Sequence, residues 1–142
     1  MDPQYDEEFT RPMRQELISL KVQELKTPSE VDKVMKNQKG SLLLFVNSVC
    51  GCAASNARPG LTLAMQNEKL PDKIVTVFAG VDTEATAKAR EYIKNYAPSS
   101  PSIALFKNGK LVSMIERKDI VHKSPGEVSK ILVESFDKFL VN

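Results

Sequence analysis

The stretch LLLFVNSVCGCAAS, residues 42–55, joins a run of five apolar residues to both cysteines of the chain. A continuous apolar run of this length is typical of a central strand that is covered by helices on both faces. The residues that follow, from Ala53 to about Gln66, favour a helix, although Pro59 has no backbone N–H to donate and must kink or divide it. The stretch therefore predicts a buried strand that leads, through a loop carrying both thiols, into a helix.

Upstream of this stretch, the sequence predicts a helical prefix, a short strand and a second helix. Residues 11–20 have helical character, and VQELK at 22–26 is a candidate strand. Thr27-Pro28-Ser29-Glu30 is the signature of a helix start, with an N-cap threonine, a proline at the first position and a glutamate at the third. Gly40 is expected to close this helix.

Downstream, strands and helices continue to alternate. Strands are expected at 74–79, 103–106 and 111–115, and helices at 83–96 and after the second capping signature, Ser124-Pro125-Gly126-Glu127. Asn108-Gly109 favours a type I′ turn, because both positions of that turn need positive φ. The order is βαβαβαββα behind an extra N-terminal helix. We therefore predict one α/β domain over residues 1–142, with a mixed central sheet flanked by helices.

Composition excludes several function classes. The chain is 42% hydrophobic and 27% charged, with a net charge of +2 and no block of like charge, which argues against a nucleic-acid partner. The run LLLFV is too short to cross a membrane, and the acidic N-terminus MDPQYDEEFT lacks the apolar core of a secretory signal. We expect a cytoplasmic protein, where a pair of cysteines is more often catalytic or metal-binding than structural.

Cys50 and Cys52 are the only cysteines, and one glycine separates them. A disulfide that closes a loop of about three residues would stabilise the fold by roughly 1.5 kcal/mol, against about 3 kcal/mol for a 15-residue loop, so a structural staple is a poor explanation. A closed zinc site needs four ligands, and the chain offers two thiols and the distant His122, so a metal or iron–sulfur site would need a dimer. Redox chemistry is the favoured interpretation.

The spacing assigns a role to each thiol. Residues i and i+2 of an α-helix point to nearly opposite sides, so Cys50 can meet Cys52 only if it lies at or before the helix start, a bend that Gly51 permits. There the Cys50 thiolate would accept hydrogen bonds from unpaired N–H groups of the first turn. Cys50 is the candidate nucleophile and Cys52 the candidate resolving thiol.

NSVCGCA, with ARPG a few residues later and APSSPS before a later strand, closely resembles the bacilliredoxin family over nearly the whole chain. The resemblance implies a thioredoxin-like fold and no bound cofactor, with bacillithiol as thiol co-substrate and bacillithiolated proteins as clients. Cys50 would attack the mixed disulfide between bacillithiol and the client. The alternatives are a disulfide isomerase or general thiol oxidant, and a metal-binding dimer. The protein is expected to be a monomer or a weak homodimer.

The resemblance also suggests residues around the thiols. Pro101 matches the position of the cis proline in thioredoxin-like proteins, where it would hold the backbone of Ser100 open for substrate. Asn47 and Ser48 either orient the loop beside the sulfur or simply form the turn that ends the strand. Arg58 either reaches back to the malate carboxylates of bacillithiol or is an ordinary solvated helix arginine.

Overall fold

The computed structural model of the protein describes residues 5–140. Five strands form one sheet in the order β1-β3-β2-β4-β5. They are β1 (Gln23–Glu24), β2 (Ser41–Asn47), β3 (Lys73–Phe78), β4 (Ser102–Lys107) and β5 (Lys110–Ile115). The first three are mutually parallel, whereas β4 runs antiparallel to both β2 and β5. The predicted mixed sheet is confirmed. The predicted domain includes residues 1–4 and 141–142, which lie outside the described residues.

The helices are α1 (Glu7–Ile18), α2 (Pro28–Lys36), α3 (Arg58–Ala64), α4 (Thr83–Arg90) and α5 (Pro125–Phe139). A π-helix at Ala53–Ala57 runs into α3, and 3-10 turns lie at Glu91–Ile93 and Arg117–Asp119. Both predicted capping boxes are present, at the starts of α2 and α5. Asn108 and Gly109 both have positive φ in a two-residue turn between β4 and β5, as predicted.

Strand β2 is apolar throughout because both of its faces pack against a hydrophobic core. Leu43 and Phe45 enter one core, with residues of α1, α3 and α5, while Leu42, Leu44 and Val46 enter a second core, with residues of α2 and α4. Successive side chains of a strand point to opposite faces of the sheet, so both faces of this strand are buried. The strand that carries the thiols is therefore held from both sides.

Several element boundaries differ from the sequence prediction; helix α2, for example, ends at Lys36 rather than at Gly40. Helix α1 begins at Glu7, because Asp6 caps it by accepting a hydrogen bond from the amide of Phe9. Strand β1 is limited to the two residues that pair with β3. Helix α4 ends at Arg90 rather than at 96, so Tyr96 lies beyond it and is 38% exposed.

The helix after the cysteines changes from π-helical to α-helical next to Pro59, the residue expected to kink or divide it. The π-helical segment ends at Ala57 and α3 begins at Arg58, followed by Pro59, which has no N–H to donate to the preceding π-helical turn. Gly60 follows and packs directly on α5, because a Cβ placed there would lie 2.5 Å from Cγ1 of Val128. This close contact fixes the helix behind the thiol loop against the C-terminal helix.

Candidate active site

The loop after β2 and the loop before β4 lie side by side at the same end of the sheet. Val46 at the end of β2 is paired with Ser102 at the start of β4. Residues 48–52 therefore lie next to residues 99–101, although they are far apart in sequence. The peptide bond between Ser100 and Pro101 is cis, as the resemblance predicted.

The two thiols are in direct contact. The Sγ atoms of Cys50 and Cys52 are 2.6 Å apart, and the backbone N–H of Cys52 donates to Sγ of Cys50 at 3.4 Å. Cys50 immediately precedes the first helical residue, and its carbonyl accepts the N–H of Ala53 at 2.9 Å. Cys50 is partly exposed, whereas Cys52 is buried. The more accessible sulfur is thus the one at the helix start.

The surroundings move the two thiol pKa values apart. Burial raises the pKa of Cys50, but hydrogen bonds from the Cys52 thiol and amide, the positive charge of Arg117 and the Ala53 amide outweigh it, so the pKa lies below its ordinary value. Burial raises the pKa of Cys52, and its hydrogen bond to Cys50 raises it further. The proton shared by the pair therefore stays on Cys52, and the thiolate forms on Cys50.

A chain of hydrogen bonds fixes the loop that carries Cys50. The buried amide oxygen of Asn47 accepts the backbone N–H of Ser48 at 2.9 Å, and Oγ of Ser48 accepts the N–H of Cys50 at 3.0 Å. Both side chains are buried, at 1% and 7% exposure. Of the two interpretations left open for Asn47 and Ser48, the contacts support orientation of the loop.

Arg58 is not the solvated helix arginine of one sequence interpretation, because its side chain is buried and bonds the protein itself. It is 2% exposed, and its Nη1 donates to Oδ1 of Asn47 at 2.9 Å and to the carbonyl of Ser48 at 3.0 Å. Its Nε forms an ion pair with Glu16 of α1 at 2.9 Å. The guanidinium therefore supports the thiol loop from behind.

Gly51 was expected to permit a bend before the helix, but its local structure does not require a glycine. Positive φ does not occur there, and an added Cβ would meet no atom within 4 Å. Neither backbone conformation nor crowding within residues 5–140 requires glycine. Gly51 is exposed, and the space around its Cα is open.

Arg117 is a residue that the sequence analysis missed. It lies in the 3-10 turn after β5, and its backbone N–H donates to Oγ of Ser99 at 3.4 Å, which ties it to the loop before Pro101. Its charge contributes to the lowered pKa of Cys50 and offsets part of the rise in the pKa of Cys52. Nothing local in the sequence marks it, because only the tertiary fold brings it near the thiols.

Within residues 5–140, no cluster of three or more His, Cys, Asp or Glu side chains is arranged to hold a metal ion. His122 is exposed. In the same part of the chain, no helix combines the length and apolar character needed to cross a membrane.

The sequence is similar to a family of known proteins along almost its whole length. Residues 5–140 match the family model described as disulphide isomerase. The chain is 49% identical over 136 residues to a bacilliredoxin of Geobacillus kaustophilus, covering 95% of this chain and 94% of the relative. It is 50% identical over 126 residues to a bacilliredoxin of Halalkalibacterium halodurans, covering 89% and 86%.

Solved structures share the fold at low sequence identity. Oxidised mitochondrial thioredoxin 3 of Saccharomyces cerevisiae superposes with a TM-score of 0.57 at 18% identity, covering 84% of this chain and 97% of that one. Thioredoxin of Aeropyrum pernix gives 0.55 at 22% identity, covering 79% and 82%. The fold is thus thioredoxin-like. With its paired thiols and its close relatives, the chain belongs to the bacilliredoxin family of thiol–disulfide oxidoreductases.

Proposed function

We propose that this thiol–disulfide oxidoreductase removes bacillithiol from proteins, with Cys50 as nucleophile and Cys52 as resolving thiol. The observation that carries the proposal is the asymmetry of the thiol pair: the sulfur with the lowered pKa is also the accessible one. The names of the relatives support bacillithiol as the thiol co-substrate. A cytoplasmic location, where thiols stay reduced, suits this chemistry.

In the first step, the Cys50 thiolate attacks the bacillithiol sulfur of the mixed disulfide. A bond forms between the two sulfurs, the disulfide bond to the client breaks, and the client thiolate leaves and takes a proton from water. The client is reduced, and bacillithiol is now joined to Cys50. Open space beside Gly51 and the partly exposed Ser100 before Pro101 provide the approach for the client.

In the second step, Cys52 loses its proton and attacks the Cys50 sulfur. Bacillithiol leaves as a thiolate and is protonated, and a disulfide joins Cys50 to Cys52. Two electrons from a further pair of thiols return the protein to its dithiol form. A second bacillithiol thiolate can instead attack the bacillithiol sulfur of the adduct, which breaks its bond to Cys50, releases the Cys50 thiolate and forms bacillithiol disulfide. This route requires no resolving cysteine.

The test is the release of client thiol from a bacillithiolated protein by the reduced enzyme. Cys50→Ser should abolish release, because a serine hydroxyl stays protonated at neutral pH. Cys52→Ser should complete a first turnover and accumulate a bacillithiol adduct on Cys50, visible by intact-protein mass. Release by Cys50→Ser at the wild-type rate would overturn the assignment.

A parallel assay addresses the isomerase alternative. The same wild-type protein is given a scrambled disulfide substrate with no bacillithiol present. We expect little reactivation compared with the rate of client release. Reactivation at a comparable rate would favour an isomerase or a general thiol oxidant instead.

A further inference from the structure

A groove of about 420 Å³ opens beside the thiol loop. Ser48 and Val49, immediately before Cys50, form one wall, and Ser100, immediately before the cis proline, forms another. Gly80 and the side chain of Arg90 complete it from the β3–α4 segment. We call this the Arg90 groove. Both loops of the candidate active site border it.

Arg90 is the only charged side chain among the described residues that line the Arg90 groove. It is partly buried, and its one hydrogen bond is a long one, from Nη2 to the carbonyl of Ser99 at 3.5 Å. In residues 5–140, no carboxylate pairs with it. Burial accordingly lowers the pKa of Arg90.

Arg14 shows what the same fold does with a structural guanidinium. It is 4% exposed and bonds Glu24 at 2.5 Å and Asp82 at 2.9 Å. These carboxylates raise the pKa of Arg14. A partly desolvated guanidinium without such a partner pays a solvation cost that an incoming anion can offset.

We propose that Arg90 binds a carboxylate of the low-molecular-weight thiol while that thiol is being transferred to Cys50. The inference rests on the proposed function and specifies its substrate recognition, since the malate carboxylates of bacillithiol supply the complementary charge. Binding this half of the mixed disulfide in the Arg90 groove presents its sulfur, rather than the client sulfur, to Cys50. Arg90 is therefore a specificity residue for the thiol and for which sulfur is attacked.

The test compares two mixed disulfides of one client protein. The first carries bacillithiol, and the second carries bacillithiol whose malate carboxylates are methyl esters. We expect wild-type kcat/KM for client release to favour the free acid by about 10- to 100-fold, the size of one charge-assisted hydrogen bond. Arg90→Ala should reduce this preference to within about 3-fold, and Arg90→Lys should keep part of it, as a single charge without the planar fork.

Lys88→Ala is the matched control. It removes one positive charge from the same helix at a position that pairs with Asp32 and Glu91 and does not line the Arg90 groove. We expect it to keep the wild-type preference. The thermal midpoint shows whether Arg90→Ala is folded. If the folded variant prefers the free acid over the ester as strongly as the wild type does, the inference is overturned, although client release itself stands. Failure of the wild type to release client from either disulfide would overturn the proposed function.

Discussion

Arg58→Met should destabilise the protein and leave recognition of the thiol unchanged. Methionine fills a similar length but removes the donor that Nη1 supplies to Asn47 and Ser48. Each hydrogen bond from a charged donor contributes about 1.5–3 kcal/mol, and removal of a buried charge recovers part of that loss. The ion pair to Glu16 adds little, because that carboxylate is 47% exposed. The expected net loss is about 2–4 kcal/mol.

The loss converts into a measurable thermal shift. Unfolding entropy is about 2.1 cal/mol/K per residue, so the chain of 142 residues has about 0.3 kcal/mol/K in total. A loss of about 2–4 kcal/mol therefore lowers Tm by about 7–13 °C. Calorimetry of the reduced protein measures this directly.

Arg11→Met is the control for the loss of an arginine. Arg11 is 56% exposed and pairs only with an exposed glutamate one turn away among the described residues. Its replacement should change stability by no more than about 0.5 kcal/mol. The supporting role assigned to Arg58 is wrong if Arg58→Met has the same Tm as Arg11→Met. It is also wrong if Arg58→Met loses the preference for free malate carboxylates.

Three further perturbations test the site and the packing behind it. Arg117→Ala removes a charge that lowers the Cys50 pKa, so the pH profile of Cys50 alkylation should move to higher pH and its rate at pH 7 should fall; an unmoved profile would contradict this. Cys52→Ala should raise the Cys50 pKa more than Cys52→Ser, whose hydroxyl can still donate to the thiolate, and identical alkylation profiles for the two variants would exclude that hydrogen bond as a cause. Gly60→Ala forces a methyl group against Val128 and should cost about 1–3 kcal/mol, measured by urea unfolding, whereas wild-type stability would show that α3 and α5 separate easily.

Elements with a local signal could be predicted from the sequence. Thr27 with Glu30 and Ser124 with Glu127 form the predicted capping boxes, because each box depends only on residues within one turn. Asn108-Gly109 forms its turn for the same reason. The end of α4 had no such signal, so the predicted helix continued past Arg90 to the exposed Tyr96.

Strand order and site composition depend on contacts between distant segments. The pairing of β2 with β4 places Ser100 and Pro101 beside Cys50, and only the resemblance suggested this in advance. Arg117 reaches the thiols through the turn after β5. Periodicity describes which face of an element is buried but not which elements become neighbours.

Three arginines differ in whether the chain supplies acceptors for the guanidinium. Arg58 is near Cys50 in sequence, but it is only 2% exposed. Its guanidinium already donates hydrogen bonds to Asn47 and Ser48. Arg14 is likewise neutralised by Glu24 and Asp82. Arg90 is remote in sequence, yet it is the one partly buried guanidinium of residues 5–140 whose single acceptor is a carbonyl at 3.5 Å. A guanidinium that leaves water requires acceptors, and where the chain does not supply a carboxylate, a ligand can. The unmet requirement, rather than distance along the sequence, is what identifies the anion-binding residue.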